Sequence, residues 1–384
     1  MIELPSKMPV LSLILCSRND RYMGNSRWRL QTTLNYAAKM IHEIGRQADV
    51  EIIVSDWGSD IPLREVLELS PAAAEMVSFI QVPARLTAEL QKDSPFSDAL
   101  ALNTAARRAN GEYIGRIDQD TLVGRHFLEY FFELYEGKQQ LPVPLAEAQL
   151  FSNLRMVPYR FCVRCPSIWN LENYIDWFGR SFKIEVTTLR PFYAHGVGIW
   201  LLHRNLWDEC GGYDERMIYM NDTEVNMITR LGINGHEIIN LGKLVDYDFY
   251  HMEHYHPLAL RSSSTHRKVN PELPFSKPEK VNPNGSGWGF VEYSFPRLPY
   301  SSDKVYFETT AFSERPFGWP KFLLRLATTG SQICLDMLAK TIRHFYLVWR
   351  QRIRIVMGTI RGKPLVRWPQ LVSNLLVRKQ HDQK

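Results

Sequence analysis

Through its first 120 residues the chain alternates short apolar runs with stretches of helical spacing, and that alternation leaves few architectures open. Residues 10–16 are apolar and end in polar Ser17-Arg-Asn-Asp20, the pattern of a buried strand emptying into a loop. Residues 28–47 then place Leu30, Leu34, Ala37, Ala38 and Ile41 on one helical face. The same reading predicts strands at 50–55, 79–82 and 113–117, with helices at 63–69 and 97–110. Strand and helix in this cadence specify a parallel sheet with crossover helices. Such sheets bind ligands at the carboxyl ends of their strands, and three of these strands run into loops bearing Asp20, Asp56 and the pair Asp118/Asp120.

The rest of the chain is less regular. Residues 141–191 are rich in proline and aromatics and yield no assignment, whereas 196–202 read as a strand and 221–231 as a helix. Short strands are expected at 238–240 and 245–250. The expected organisation is a catalytic-sized body at 8–258, a Pro- and Ser-rich extension or linker at 259–319, and a basic amphipathic helical tail at 320–384. With 45% hydrophobic and 23% charged residues, the composition excludes disordered, collagen-like and coiled-coil chains. Five scattered cysteines do not make a disulfide framework and fit a reducing compartment. Glu3 and the short run at 10–16 do not make a secretory leader, and no uncharged stretch is long enough to span a bilayer.

Charge is unevenly placed. From Arg315 onward there are 14 Lys and Arg against two acids, so the net +5 of the chain hides a mildly acidic body and a basic tail. In the tail, Arg343, Arg350, Arg352 and Arg354 interleave with Ile342, Phe345, Val348, Trp349 and Ile353. Two readings stand: an interfacial helix on anionic lipid, or a helical appendage packed on protein. No nucleic-acid partner is expected, because no recognition module accompanies the charge. These features predict a cytoplasmic protein, which on the lipid reading of the tail is peripheral at the inner face of the plasma membrane.

Three clusters carry chemistry. Asp118-Gln-Asp120 sets two carboxylates on one side of an extended chain, which suits Mn²⁺ or Mg²⁺ bridging to a diphosphate and equally suits a solvated turn. Asp222 and Glu224 stand where a helix begins, either as helix-capping acids or with one as a general base. Tyr250-His-Met-Glu-His-Tyr-His256 offers three histidines as ligands or as exposed loop residues. Cys162-Val-Arg-Cys165 has half of a zinc spacing and no second pair.

Read in order, these motifs resemble the GT-A glycosyltransferases, chiefly the inverting family-two enzymes and their beta-1,4-galactosyltransferase-like relatives, over roughly residues 9–256. Ser17-Arg-Asn resembles the loop that meets the nucleotide. Asp56-Trp-Gly-Ser resembles the Asp-Asp-Gly-Ser element. Phe96-Ser-Asp-Ala-Leu-Ala-Leu-Asn103 resembles the donor-pocket segment, with Asp98 where relatives have Arg. Gly211-Gly-Tyr-Asp-Glu resembles Gly-Gly-Phe-Asp-Glu, and Asn221-Asp-Thr-Glu resembles Glu-Asp-x-Asp.

The resemblance implies a GT-A fold, Rossmann-like with a mostly parallel central sheet, followed by the basic helical extension. It implies a nucleotide-sugar site at Arg18, Asn19, Asp56, Phe96, Asn103 and Asp118, and an acceptor or sugar site at Trp200, Gly212, Asn221 and Glu224. Asp222 is implied as catalytic base. Mn²⁺ or Mg²⁺ is implied on Asp120 and His251, with Asp118 and His254 as further candidates. The activity implied is transfer of a hexose or N-acetylhexosamine, from UDP-sugar, to a glycan or lipid-linked acceptor with inversion, in polysaccharide assembly. Two competing expectations are a sugar nucleotidyltransferase, which wants a Gly-rich basic loop that Cys16-Ser-Arg-Asn-Asp20 does not supply, and a catalytically degenerate sugar-binding protein.

Overall fold

The computed structural model describes residues 8–22, 26–157, 171, 172, 175, 197–219, 223–253, 280–304 and 349. The chain divides into two units, Met1–Ile333 and Cys334–Lys384, and every described residue except Trp349 lies in the first. Asn221, Asp222, His254, Cys162, Cys165 and, Trp349 apart, the basic stretch 320–384 lie outside the described residues.

The strands expected from the apolar runs are β1 (Leu11–Ser17), β2 (Val50–Trp57), β3 (Val77–Val82) and β4 (Tyr113–Arg116), and all four are parallel. Their side chains are almost wholly buried, which explains why they read as continuous apolar runs rather than alternating ones. They stand in the order β3-β2-β1-β4. The chain therefore steps outward from β1 to β3, then returns to the other side of β1. That reversal opens a crevice at the carboxyl ends of β1 and β4.

Beyond β4 the sheet continues through β8 (Val197–His203), β6 (Gln149–Asn153) and β9 (Ile238–Asn240). β8 is antiparallel to both β4 and β6, and β9 is parallel to β6. At the other edge β11 (Arg297–Pro299) runs antiparallel to β3. The architecture is mixed α/β about a mostly parallel central sheet, as the sequence predicted.

A second sheet holds β5 (Thr121–Val123), β10 (Phe249–Met252) and β7 (Arg155–Val157) in the order β5-β10-β7. The strand expected at 245–250 is displaced toward the C-terminus. Asp246 and Tyr247 both adopt left-handed backbone (φ 49° and 52°), so the chain turns there and becomes extended only at Phe249.

One face of the central sheet packs on α5 (Asp98–Arg107), α7 (Arg204–Cys210) and α8 (Thr223–Ile233). Ile14, Ile114 and Trp200 share a core there with Leu102, Leu206, Trp207, Met227 and Leu231. The Ala-rich α5 presents small side chains, which bring its axis close to β1 and β2. Elsewhere α1 (Ser26–Glu43) packs on α3 (Pro71–Met76), β5 and α6 (Arg125–Tyr135). α3 begins where Ser70 caps the Ala73 N–H and Pro71 fills the first turn. Two further helices, α2 (Leu63–Val66) and α4 (Ala84–Gln91), flank β3 in sequence.

Residues 280–304, inside the stretch read as extension or linker, contribute to the core. Trp288 stacks on Trp207 with centroids 6.3 Å apart, and Phe290 is buried beside Trp57. No helix among the described residues is long and apolar enough to cross a membrane.

Candidate active site

At the carboxyl ends of β1, β2 and β4 the loops are tied to one another by polar side chains. The Asn19 N–H donates to Ser59 Oγ (2.8 Å), and its side-chain amide donates to the Ile61 carbonyl (2.9 Å). Ser59 Oγ in turn donates to Asp56, whose other oxygen accepts the Leu63 N–H at 2.8 Å. Burial dominates at Asp56 and, against these hydrogen bonds, pushes its pKa up to about 6. Arg18 lies over the Phe96 ring at 5.6 Å and donates to the Pro95 carbonyl and to Asp20. The structure thus brings Arg18, Asn19, Asp56 and Phe96 to one rim. Both Asp56 oxygens already have partners within their own loop.

Opposite that rim stands the loop after β4. Ser17 Oγ donates to Gln119 Oε1 at 2.5 Å, joining the ends of β1 and β4. Asp120 is buried: one oxygen lies 3.5 Å from Arg29 Nε of α1, and the other 3.1 Å from His251 Nδ1. Register accounts for the second contact. β10 pairs His251 with Thr121, and the Met252 N–H donates to the Asp120 carbonyl at 2.9 Å. Burial would lower the His251 pKa, but the Asp120 carboxylate, with Asp118 and Glu253 behind it, more than offsets this and the shift is upward.

No sequence motif marks the side chain that organises the remainder. Arg116, the last residue of β4, is buried, and its Nη2 reaches Asp118 Oδ1 at 2.6 Å and Glu224 Oε1 at 2.9 Å. Asp98 and Glu224 lie in the first turns of α5 and α8, where the helix dipoles favour acids. Burial, then the charge on Glu224, pushes Asp98 up to about 7. The Cys16 thiol is likewise raised, by burial and then by Asp98. The Tyr213 hydroxyl is buried with no partner among the described residues. Strand alternation is the signal that finds Arg116: it points to the same face as Ile114, an inward position where a charge demands partners.

Three residues predicted to touch substrate serve the fold instead. Asn103 is fully buried and spends its amide on the Tyr213 backbone and on Glu215 Oε1, so it does not line a donor pocket. Gly212 has φ +67°, and a Cβ there would clash with Asn103 Oδ1, so it is a packing glycine. Trp200 is 1% exposed within the core, which leaves its indole no face for a sugar. The Gly211–Glu215 segment is a clasp. It holds α5 through Asn103, α8 through Arg230, whose Nη2 donates to the Gly212 carbonyl, and residues 284–289 through Asn284 and Glu215.

The Asp120–His251 pair suits a divalent ion in its donor chemistry, a hard carboxylate oxygen beside an imidazole nitrogen. Their 3.1 Å separation also equals that of neighbouring ligands around an ion with bonds of about 2.1 Å. Among the described residues no cluster of three His, Cys, Asp or Glu is spaced to hold a metal, and Asp118 is paired with Arg116.

No protein-family model matches the chain, and no curated protein matches it. Similar solved structures include S. aureus TarS, with a TM-score of 0.39 and 16% identity over 64% of this chain and 37% of that one. S. aureus TarS 1–349 in complex with UDP-GlcNAc gives a TM-score of 0.38 and 15% identity over 68% of this chain and 61% of that one. The catalytic domain of Drosophila beta1,4-galactosyltransferase 7, in complex with xylobiose, gives 0.34 and 12% over 71% and 79%. The chain thus spans little more than a third of the full TarS chain.

Proposed function

We propose that the protein is a glycosyltransferase that moves a hexose or N-acetylhexosamine from a nucleotide sugar, with UDP as the nucleotide, to a hydroxyl of a glycan or lipid-linked acceptor. The observation that carries this reading is the meeting of Asp120 with His251 beside Asp118, in the crevice between the carboxyl ends of β1 and β4. Arg18, Asn19, Asp56 and Phe96 form the rim suited to a nucleoside, and Asp118 stands in the loop after β4 that also carries Asp120.

Asp120 and His251 would hold Mn²⁺ or Mg²⁺, whose charge would stabilise a departing diphosphate. Asp222, next in the chain before α8, takes the proton from the acceptor hydroxyl as that oxygen bonds to the anomeric carbon. The bond from that carbon to the diphosphate oxygen breaks on the opposite face, so configuration inverts and nucleoside diphosphate leaves. The basic tail, with its interleaved Leu, Ile and Trp, suits contact with a membrane that carries the acceptor.

The test is nucleotide release from a panel of nucleotide sugars with Mn²⁺, with and without EDTA. Release from one donor, lost with EDTA and lost in Asp120→Asn, is the expected result. Release from none, or turnover by Asp222→Asn at the rate of the unaltered protein, would sink the reading.

A further inference from the structure

Arg116 is a charge on the inner face of a central strand, where burial is costly unless partners surround it. It comes up between β1 and β8, with Ile14 and Trp200 as its register neighbours. A single nitrogen, Nη2, holds two carboxylates that belong to different parts of the chain: Asp118 in the loop after β4, and Glu224 in the first turn of α8. Its Nε is buried with no acceptor among the described residues. Around it also stand the Asp98 carboxyl, the Cys16 thiol and the Tyr213 hydroxyl.

We infer that Arg116 is a positioning residue that fixes the distance between the two halves of the reaction site. It pins the Asp118–Asp120 loop and the start of α8 to one nitrogen, and Asp222 is tied to that start by the two intervening peptide bonds. This inference rests on the reading that the Asp118–Asp120 loop meets the donor and Asp222 the acceptor. Removing the tether lets the start of α8 drift, and a drift of about 1 Å in a reacting group is enough to cost about 100-fold in rate. Donor binding depends on the β4 loop and is left in place when only the Glu224 arm is cut.

The test is a double-mutant cycle on the full chain with Arg116→Met and Glu224→Gln, accompanied by Arg116→Lys. Glu224→Gln is expected to lower kcat about 100-fold while the dissociation constant for UDP, measured by calorimetry, is unchanged. The double variant is expected to be no slower than the slower single one, because both cut the same tether. Arg116→Lys is expected to recover most of the rate lost in Arg116→Met, since one ammonium can replace the one nitrogen in use. Additive losses, or a Lys variant as slow as the Met variant, would overturn the inference. A UDP-binding loss in Glu224→Gln equal to its loss of turnover would do the same. If the unaltered chain binds no nucleotide at all, the glycosyltransferase reading fails separately. Amide hydrogen exchange in the first turn of α8 then still judges the tether: exchange quickened in Arg116→Met and restored in Arg116→Lys upholds it, and identical exchange in all three overturns it.

Discussion

Asn103 and Tyr213 are joined by a two-way hydrogen bond: the Asn103 amide donates to the Tyr213 carbonyl at 2.8 Å and its oxygen accepts the Tyr213 N–H at 2.7 Å. A side-chain amide thus completes the backbone of a loop much as a neighbouring strand would. It locks α5 against the segment that leads toward Asp222. Gly212 abuts this pair, and Gly212→Ala is expected to break it, through both the clash with Asn103 and the positive φ. A destabilisation of about 2–3 kcal/mol, read from urea unfolding, is the expected outcome. An unchanged midpoint would show that the loop has another way to close.

Trp288 stacks on Trp207, which itself donates to the Ile114 carbonyl. Trp288→Ala is expected to cost about 3–5 kcal/mol, the loss typical of a buried aromatic. The same loss is not expected of a linker, so thermal unfolding of this one variant distinguishes a core element from a tether between domains.

Asp56 gives the fold a pH dependence of definite sign. Its folded pKa of about 6 lies above the ordinary carboxylate value, so the protonated form is favoured in the folded chain. Its contribution is fully present below about pH 4 and is lost as pH rises through 6. Asp56→Asn removes that term. Between pH 4 and 7 the stability of the Asn variant relative to the unaltered protein is expected to rise by about 3 kcal/mol, measured by urea titration at each pH. A difference that does not vary with pH would show that Asp56 is charged throughout.

Arg29 and Asp120 form a buried ion pair. Arg29→Met leaves the carboxylate short of a cation and is expected to cost about 3–5 kcal/mol. If Asp120 holds a divalent ion, Mn²⁺ replaces part of the missing charge. The melting temperature of Arg29→Met is then expected to rise with Mn²⁺ and fall with EDTA by more than that of the unaltered chain. Equal responses in both would separate Asp120 from metal binding.

The first half of the sheet is legible from the apolar runs alone. Strands buried on both faces must be continuous apolar runs, and those at 10–16, 50–55, 79–82 and 113–117 are visible without any knowledge of their partners. The sequence also determined that acids stand at their carboxyl ends, because a run that stops must stop in polar residues. The short strands β5, β6 and β7 are not legible in it, since three to five residues carry too little periodicity to assign. What each polar residue touches depends on how the folded elements meet. Asp120 meets His251 only because β10 pairs with β5 in one register. Asn103 and Gly212 sit within motifs that suggested substrate, yet packing turned both inward to close the core. Arg116 carries no motif at all. Its position follows from strand alternation and Asp118 stands two residues on, but its second partner, Glu224, comes from a helix more than a hundred residues later, and a local pattern holds no record of a contact made across such a distance in sequence.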